Sequence, residues 1–402
     1  MTLDVERIRK DFPILESGVI YLDNTATSLT PEPVLSKMLE YYREYRSNVE
    51  RGIYAFSQRA TDEYEKAHRK AAELIGANSP SEIVMVRNTT EAINTVANGL
   101  NWKPEHKVVT TLLEHHSNYL PLLRASRRYG VKLQLVKPSV EGTLDPADFE
   151  KTVDDSTRLV SVAYVSNVLG VITPVKEIAQ IAHEHGALCL LDAAQAVPNF
   201  KVNVKDVGCD FLAFSGHKIC GPTGCGVLYV NEDSLEKLEP LLLGGGAILN
   251  VDVDDYTLDR GGRGFEAGTP PIAEAIGLGA AIDYVRNIGF ENIHQHEQKM
   301  TRRVYDGLVE MENVKLYGPE PSRKVGITSF NVGDLNPHDV ALALDTSANI
   351  AVRSGHHCAQ PLMKTVLNAP HGTVRASTYF YNTIDEIEKF LAVMEEITSA
   401  LQ

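Results

Sequence analysis

The chain has 402 residues, of which 43% are hydrophobic and 23% charged, and a formal net charge of −14. That length exceeds what one core needs, the composition excludes disordered and fibrous classes, and the acidic field repels nucleic acid and anionic membrane surfaces. No apolar run approaches the ~18 residues of a membrane span, and the opening Met1-Thr2-Leu3-Asp4-Val5-Glu6 lacks the apolar core of an export signal, so a cytoplasmic protein with neither nucleic acid nor membrane as partner is expected.

In chain order, β-rich runs at Ile83–Arg87, Lys107–Thr111, Val131–Val136, Arg158–Val165 and Ala187–Leu191 alternate with helical patterns near Thr90–Asn101, Asn118–Tyr129 and Val175–His185. Alternation of this kind is βαβ logic, and nearly continuous apolar strands imply a mostly parallel sheet covered by helices on both faces. The acidic segment Asp252 to Asp259, between Gly244-Gly245-Gly246 and Gly261-Gly262, reads as an exposed irregular loop. After Ala273 a helical run leads to strands at Val325–Val332, Ile350–Arg353 and Thr373–Ala376, with helices near Pro337–Thr346, Gln360–Leu367 and Ile384–Leu401. The expected class is therefore α/β. Its expected division is a large domain over 20–272 and a smaller α+β domain made of 1–19 and 273–402.

Five cysteines, Cys189, Cys209, Cys220, Cys225 and Cys358, are an odd and scattered set without a CxxC pair, which argues against a disulfide framework or a zinc ribbon. No metal site is expected.

Four stretches carry chemistry. Lys218 follows the apolar run Phe211-Leu212-Ala213-Phe214 and precedes the turn Gly221-Pro222-Thr223-Gly224, so it sits where a strand opens into a tight loop, the setting of a Schiff-base lysine; a surface lysine on a hairpin reads equally well from those residues alone. Asp192 ends the run Cys189-Leu190-Leu191 and points into the crevice at the carboxyl ends of the strands, where it could pair with the ring nitrogen of pyridoxal phosphate while Gln195 meets the ring hydroxyl; a helix N-cap is the alternative. Asn88-Thr89-Thr90-Glu91 joins a strand to a helix, which makes either a phosphate site or a plain capping box, and Ser215 and His217 could serve the same phosphate. His115, after another strand, could lie on a cofactor ring and move protons; chelation with His116 is disfavoured because consecutive residues point apart. Lastly, Cys358 in Gly355-His356-His357-Cys358, preceded by Arg353-Ser354, reads as a reactive thiol, against the alternative of a buried inert one.

With these motifs in hand the chain resembles the class V aminotransferase-fold cysteine desulfurases, specifically the SufS-type group, essentially from end to end. The resemblance rests on Tyr21-Leu22-Asp23-Asn24, Asn88-Thr89-Thr90-Glu91-Ala92-Ile93-Asn94, Glu114-His115-His116-Ser117-Asn118, Val165-Ser166-Asn167-Val168-Leu169-Gly170, Phe214-Ser215-Gly216-His217-Lys218, Phe265-Glu266-Ala267-Gly268-Thr269-Pro270, Ala351-Val352-Arg353-Ser354-Gly355-His356-His357-Cys358-Ala359-Gln360-Pro361 and Arg375-Ala376-Ser377. It implies the fold type I architecture of pyridoxal-phosphate enzymes. Lys218 would carry pyridoxal 5'-phosphate, with His115 stacked on the ring, Asp192 and Gln195 contacting it, and Thr89, Thr90, Ser215 and His217 on the phosphate. Asn24, Asn167, Arg353 and Arg375 would bind substrate, and Cys358 would take its sulfur. Thr269 would reach the phosphate of a neighbouring subunit, implying a homodimer. The implied reaction converts L-cysteine to L-alanine and leaves a persulfide on Cys358 for a sulfur-acceptor protein or iron–sulfur scaffold. L-selenocysteine lyase chemistry and a non-catalytic sulfur-transfer partner of the same fold are the alternatives. One departure stands out: the group usually shows histidines where this chain has Glu50 and Tyr54.

Overall fold

The computed structural model describes residues 3–401. Its centre is a seven-stranded sheet of β1 (Ile83–Val86), β2 (Lys107–Thr111), β3 (Lys132–Val136), β4 (Thr157–Ala163), β5 (Leu188–Asp192), β6 (Phe211–Ser215) and β7 (Gly226–Val230), in the order β1-β7-β6-β5-β4-β2-β3. The pairs β2–β3, β2–β4, β4–β5 and β5–β6 are parallel, whereas β7 runs antiparallel to both β1 and β6. The class expected from the sequence is thus the one observed.

The central strands are apolar on both faces because both faces are covered. Along β6, Phe211 and Ala213 enter one core with Leu159, Leu188 and Leu190, while Leu212 and Phe214 enter the other with Val160, Val162 and Leu191. This is the period of two expected of a strand, with neither side left for water. Since β2, β4, β5 and β6 are parallel, their carboxyl ends lie along one edge of the sheet. There the chain carries, in turn, Glu114-His115, Ser166-Asn167, Asp192 and Ser215-Lys218.

A second sheet is antiparallel and has four strands, β8 (Val314–Tyr317), β9 (Ile327–Val332), β10 (Arg353–Gly355) and β11 (Thr373–Ser377), in the order β8-β9-β11-β10. Phe330, Val332, Val374 and Ala376 pack beneath it against Phe390, Leu391 and Met394 of the helix Ile384–Ser399. That helix begins with a capping box in which Thr383 and Glu386 bond reciprocally.

Two expectations change. The segment read as an irregular loop contains a strand, Tyr256–Leu258, paired antiparallel with Ile248–Val251. Its apolar residues stand among aspartates in a hairpin with exposed faces, so composition alone resembled a loop. The strand expected over Ile350–Arg353 is two short ones, Ile350–Ala351, paired with Ile20–Tyr21, and Arg353–Gly355 in the second sheet. Among the described residues no helix is long and apolar enough to cross a membrane.

Candidate active site

A cavity of about 240 Å³ opens at the carboxyl edge of the central sheet, lined by Thr89, Thr90, His115, Asp192, Gln195, Ser215, His217 and Lys218, and by Asn167. The structure thereby gathers eight side chains predicted to meet the cofactor, and one predicted to meet substrate, around one space.

Lys218 arrives there because β6 ends in a single turn of 3-10 helix, Gly216–Lys218. Gly216 is needed at that bend, since a Cβ would lie 2.9 Å from the carbonyl of Cys225. The carbonyl of His217 accepts from Ser28 N at 2.9 Å, Thr27 Oγ1 at 3.0 Å and Ser28 Oγ at 3.0 Å, so the backbone preceding the amine is fixed by three donors. Burial, with Arg375 adding and Asp192 and Cys358 opposing, lowers the lysine to about 8. A buried amine with its proton affinity reduced is suited to nucleophilic work near neutral pH.

Asp192 is buried, and burial pushes its carboxyl up while Lys218 pulls it down. Oδ1 accepts from Ala194 N at 3.0 Å, so the residue closes a local turn and leaves its other oxygen for a ligand. Gln195 spends one amide hydrogen on Thr25 O at 2.7 Å. His115 caps the helix α2 (His116–Tyr129), its Nδ1 accepting from Ser117 N at 3.0 Å, which puts the ring proton on Nε2. Burial, with Lys218, His116 and Arg375 adding, lowers the imidazole to about 3, so His115 is neutral at physiological pH. His217 is likewise lowered to about 4 by burial and Lys218.

The helix α1 (Thr89–Gly99) opens at the cavity, capped by Asn88, whose side chain accepts from Glu91 N. Ser215 Oγ accepts from Thr89 N at 2.9 Å and shares a hydrogen bond of 2.7 Å with Thr89 Oγ1, while Thr90 Oγ1 and Ser117 Oγ share one of 2.8 Å. Hydroxyls at a helix N-terminus make an anion site. Capping and phosphate readings therefore coexist, since the cap satisfies one N–H and leaves the hydroxyls free to reorient. Together with the carboxylate, the neutral imidazole and the depressed amine, these groups fit a small flat cofactor that bears an aldehyde, a basic ring nitrogen and a phosphate.

Cys358 stands on a turn of unusual backbone. Gly355, His357 and Cys358 have φ of 103°, 50° and 56°, and consecutive left-handed non-glycine residues cost of order 1–3 kcal/mol each. The surroundings impose that shape. Asn167 Nδ2 donates to His357 O at 2.8 Å, His116 N donates to Cys358 O at 2.7 Å, and Gln360 N donates to His116 Nε2 at 3.1 Å. His357 Nε2 and Thr373 Oγ1 are 2.9 Å apart, and burial holds that imidazole well below its usual range. A helix, Gln360–Thr365, begins at once, so the thiol is carried by a short constrained turn. Cys358 is exposed, whereas the other four cysteines are buried, and burial pushes the Cys220 and Cys225 thiols up, which leaves them inert.

Arg375 lies beneath this turn with 3% exposure. Its Nη1 donates to Asn167 O at 2.9 Å, Nη2 lies 3.4 Å from Asp23 Oδ1, and Nε has no partner. Burial lowers it to about 10, which still leaves a cation, and a buried guanidinium with a spare donor is suited to a carboxylate.

Three predicted residues lie outside that lining. The Arg353 side chain is half exposed and forms an ion pair with Asp23 Oδ2 at 3.0 Å, outside the cavity lining. Asn24 lines a smaller pocket that Lys218 and Gln195 also line; its Nδ2 is engaged by Tyr21 O, Ser377 O and Asn382 Oδ1, and its Oδ1 accepts from Tyr381 OH. Thr269 is exposed and lines a separate cavity with Asn48, Glu50 and Gly268; Glu50 itself has φ of 75° and faces Arg263 at 3.4 Å. Sequence reasoning did not find Asp23, which Arg353 and Arg375, register partners on neighbouring strands, share.

The family model of the class-V aminotransferases matches residues 20–390. The chain is 48% identical over 401 residues to a probable cysteine desulfurase of Pyrococcus abyssi, covering 99% of this chain and 98% of that one. It is 47% identical over 394 residues to another of Methanothermobacter thermautotrophicus, covering 98% of each. The solved apo structure of a cysteine desulfurase from Thermococcus onnurineus superposes with a TM-score of 0.95 at 48% identity, covering 100% of this chain and 99% of that one. That of the cysteine desulfurase CsdA from Escherichia coli gives 0.91 at 30% identity, with full coverage of both. On these matches, which run nearly from end to end, the chain belongs to the class-V aminotransferase family, among the cysteine desulfurases.

Proposed function

We propose that this protein is a pyridoxal-phosphate-dependent cysteine desulfurase that converts L-cysteine to L-alanine and takes the sulfur onto Cys358. The observation that carries the reading is the placement of one exposed thiol, on a turn fixed by His116 and Asn167, beside the cavity of a buried lysine with a depressed proton affinity. When bound, pyridoxal phosphate supplies an aldehyde that condenses with amines and a ring that accepts electrons from the substrate carbon. Lys218 would hold it covalently, Asp192 would face the ring nitrogen, His115 the ring, Gln195 the ring hydroxyl, and Thr89, Thr90, Ser215 and His217 the phosphate.

Each step asks one thing of the chain. Arg375 orients the substrate carboxylate with its spare Nε donor, in a position backed by Asn167 O. Lys218 Nζ, released when the substrate amine takes its place, removes the proton from the substrate Cα. The Cys358 sulfur, as thiolate, then attacks the substrate sulfur. A sulfur–sulfur bond forms, the substrate carbon–sulfur bond breaks, and its electron pair remains on carbon. Protons returned by Lys218, with His115 Nε2–H oriented beside it, complete alanine. The persulfide on Cys358 is then open to a thiol from solvent.

We further propose that the acceptor is a sulfur-carrier protein or iron–sulfur scaffold, that the protein works in the cytoplasm, and that it is a homodimer in which Thr269 of each copy serves the other's site. Exposed Leu242, Leu243, Leu249, Val251, Val253 and Tyr256, all within one stretch of chain, support a covering partner, because clustered large apolar side chains on a surface commonly mark an interaction site. The division into 20–272 and 1–19 with 273–402 belongs to the same proposal. Alanine formation and mass spectrometry after L-cysteine addition test it: one extra sulfur is expected on the peptide containing Cys358, and neither alanine nor persulfide beyond background with Cys358→Ala. Full activity of that variant on L-cysteine would sink the role of the thiol; activity retained only on L-selenocysteine would turn the reading to a selenocysteine lyase.

A further inference from the structure

One position in the buried stripe of the helix Phe290–Val309 breaks its pattern. Ile293, Met300 and Val304 are apolar, as a stripe facing a core requires, but Glu297 stands among them with 1% exposure. Neither of its carboxyl oxygens has a hydrogen-bond partner. A buried carboxylate without a donor is costly enough that the group keeps its proton instead, and burial pushes Glu297 well above its usual range.

Glu297 borders a chamber of about 20 Å³ that Lys218, Gln195, Asn24 and Thr378 also line. Lys218 and Gln195 border the larger cavity as well, so they stand between the reaction space and the chamber. Gly326, also in the wall, keeps the chamber open: a Cβ there would lie 3.0 Å from Thr378 O, 3.1 Å from Thr378 Oγ1 and 3.5 Å from Glu297 Cδ. Thr378 Oγ1 is itself buried without a partner. Two unpartnered polar groups thus converge on a space large enough for one water, which needs about 10–15 Å³ and at least two polar partners.

The other titratable groups around Glu297 are engaged elsewhere. Tyr379 and Tyr381 feel its charge, but burial pushes both phenols up, and their hydroxyls donate to Pro198 O at 3.0 Å and to Asn24 Oδ1. His296 Nε2, on the same helix, donates to Asn382 O at 2.8 Å, and Lys324, just before Gly326, has its amine 5.3 Å over the Tyr305 ring. Among the described residues, Lys218 is the one basic group in the chamber wall.

We propose that Glu297 is a proton reservoir for Lys218, joined to it by a water in this chamber and acting on the reaction only through the lysine. The proposal rests on the reading of Lys218 as the base of the desulfurase reaction. Lys218 lifts one proton from the substrate Cα, whereas alanine gains two on carbon, one back at Cα and one at Cβ where the sulfur leaves. The second passes from the Glu297 carboxyl to the water and from the water to Lys218 Nζ, leaving a carboxylate. Solvent restores that proton through the cavity once alanine has left. The incoming ammonium and thiol each give one proton to solvent, and Glu297 and the departing alanine amine each take one back, so the cycle closes.

The test uses L-cysteine deuterated at Cα, with the alanine analysed by mass spectrometry, and infrared spectra of apoprotein carrying glutamate isotopically labelled at the side-chain carboxyl. Wild type, Glu297→Gln, Glu297→Asp and Gly326→Ala are compared. The wild-type apoprotein should show the band of a protonated carboxyl that is missing in Glu297→Gln and kept in Gly326→Ala, whose added methyl displaces the water but not the acid. With exchange cut off in both variants, the deuteron taken by Lys218 should return to carbon more often, so their alanine should keep several-fold more label than that of wild type. Turnover should fall roughly tenfold, less than a full loss of general-acid action because solvent supplies a slower route, with KM changed less than about twofold. Glu297→Asp, which keeps an exchangeable proton, should recover most of both. A carboxyl band unaltered by Glu297→Gln, or wild-type label retention in that variant, would overturn the proposal. Should Glu297→Gln fail to fold, Gly326→Ala carries the same label test, and unchanged retention there overturns it equally. A wild-type protein that takes up no pyridoxal phosphate would instead overturn the reading of the site itself, with the infrared band still in place.

Discussion

Lys218 lines the cavity and Cys358 stands near enough to act on its charge, and the two are carried by loops of opposite construction. Lys218 follows the central strand β6, every residue of which is buried, and the carbonyl before it is fixed by three donors. Cys358 stands on a surface turn whose left-handed backbone is imposed from outside, by bonds from Asn167 and His116 on the sheet side. The contrast follows from what each group must do. An amine needs a low-dielectric pocket to give up its proton near neutral pH, and burial supplies it. A thiol that hands sulfur to another molecule has to face solvent, so its position comes from strained backbone and hydrogen bonds instead of from burial.

The sharpest way to break this comparison is at the buried end. Lys218→Ala removes both the covalent anchor and the base, and turnover should fall by about 10⁴-fold or more, since general-base loss alone contributes on the order of 10²–10⁴. Cofactor should still be found in the purified variant, because the hydroxyls at the α1 terminus, Asp192 and His115 remain. Measurable activity at a tenth of wild type would show that Lys218 is an ordinary loop lysine.

A second test sharpens the claim that burial is the cause. With Lys218 lowered to about 8, the amine is charged below that pH and neutral above it. At pH 7.5 its neutral fraction should exceed that of an unperturbed lysine by on the order of a hundredfold. Apoprotein should therefore take up pyridoxal phosphate at a rate that rises through about pH 8 and then levels, followed by visible absorbance. Because His115 and His217 are held neutral, at about 3 and 4, neither should add an inflection near pH 6.5. A rate still climbing at pH 10 would show that the lysine is not desolvated.

The sequence exposed one side of this contrast better than the other. Asp192, His115 and Lys218 could be placed because each follows an apolar run that reads as a strand, and parallel strands bring their carboxyl ends together. The thiol loop was legible as a short turn, since Gln360-Pro361 starts a helix directly after it. Its left-handed backbone was not, because His357 and Cys358 give no local sign of positive φ; the bonds that enforce it come from residues about 190 and 240 positions away. For the same reason the carboxylate shared by Arg353 and Arg375 stayed hidden, with Asp23 lying some 350 residues from Arg375. The long helices Ala55–Ile75 and Phe290–Val309 also went unread, since the buried stripe of the first is built largely of alanine and polar residues and that of the second includes Glu297 and Thr301. Asn24 and Arg353 were assigned to substrate by resemblance alone; the geometry shows the first bonded into a wall beside Lys218 and the second in an ion pair with Asp23.

The smallest expected effect falls on the exposed end of the comparison. Asn167 lines the cavity, yet its side-chain amide donates to the carbonyl of His357, and its own carbonyl oxygen receives Arg375 Nη1. Replacing Asn167 with alanine deletes only the first bond, because the second uses backbone. The net contribution of one such bond is about 0.5–1.5 kcal/mol, so the turn should relax without unfolding, and sulfur transfer to Cys358 should slow by roughly tenfold or less. Lys218 is untouched, so cofactor content and uptake should stay within about twofold of wild type by the same bond-energy argument. Measured side by side, the two rates separate the loops: persulfide formation should drop while cofactor uptake does not. Equal losses in both would mean that Asn167 holds the whole cavity together and that the two loops are not independently built.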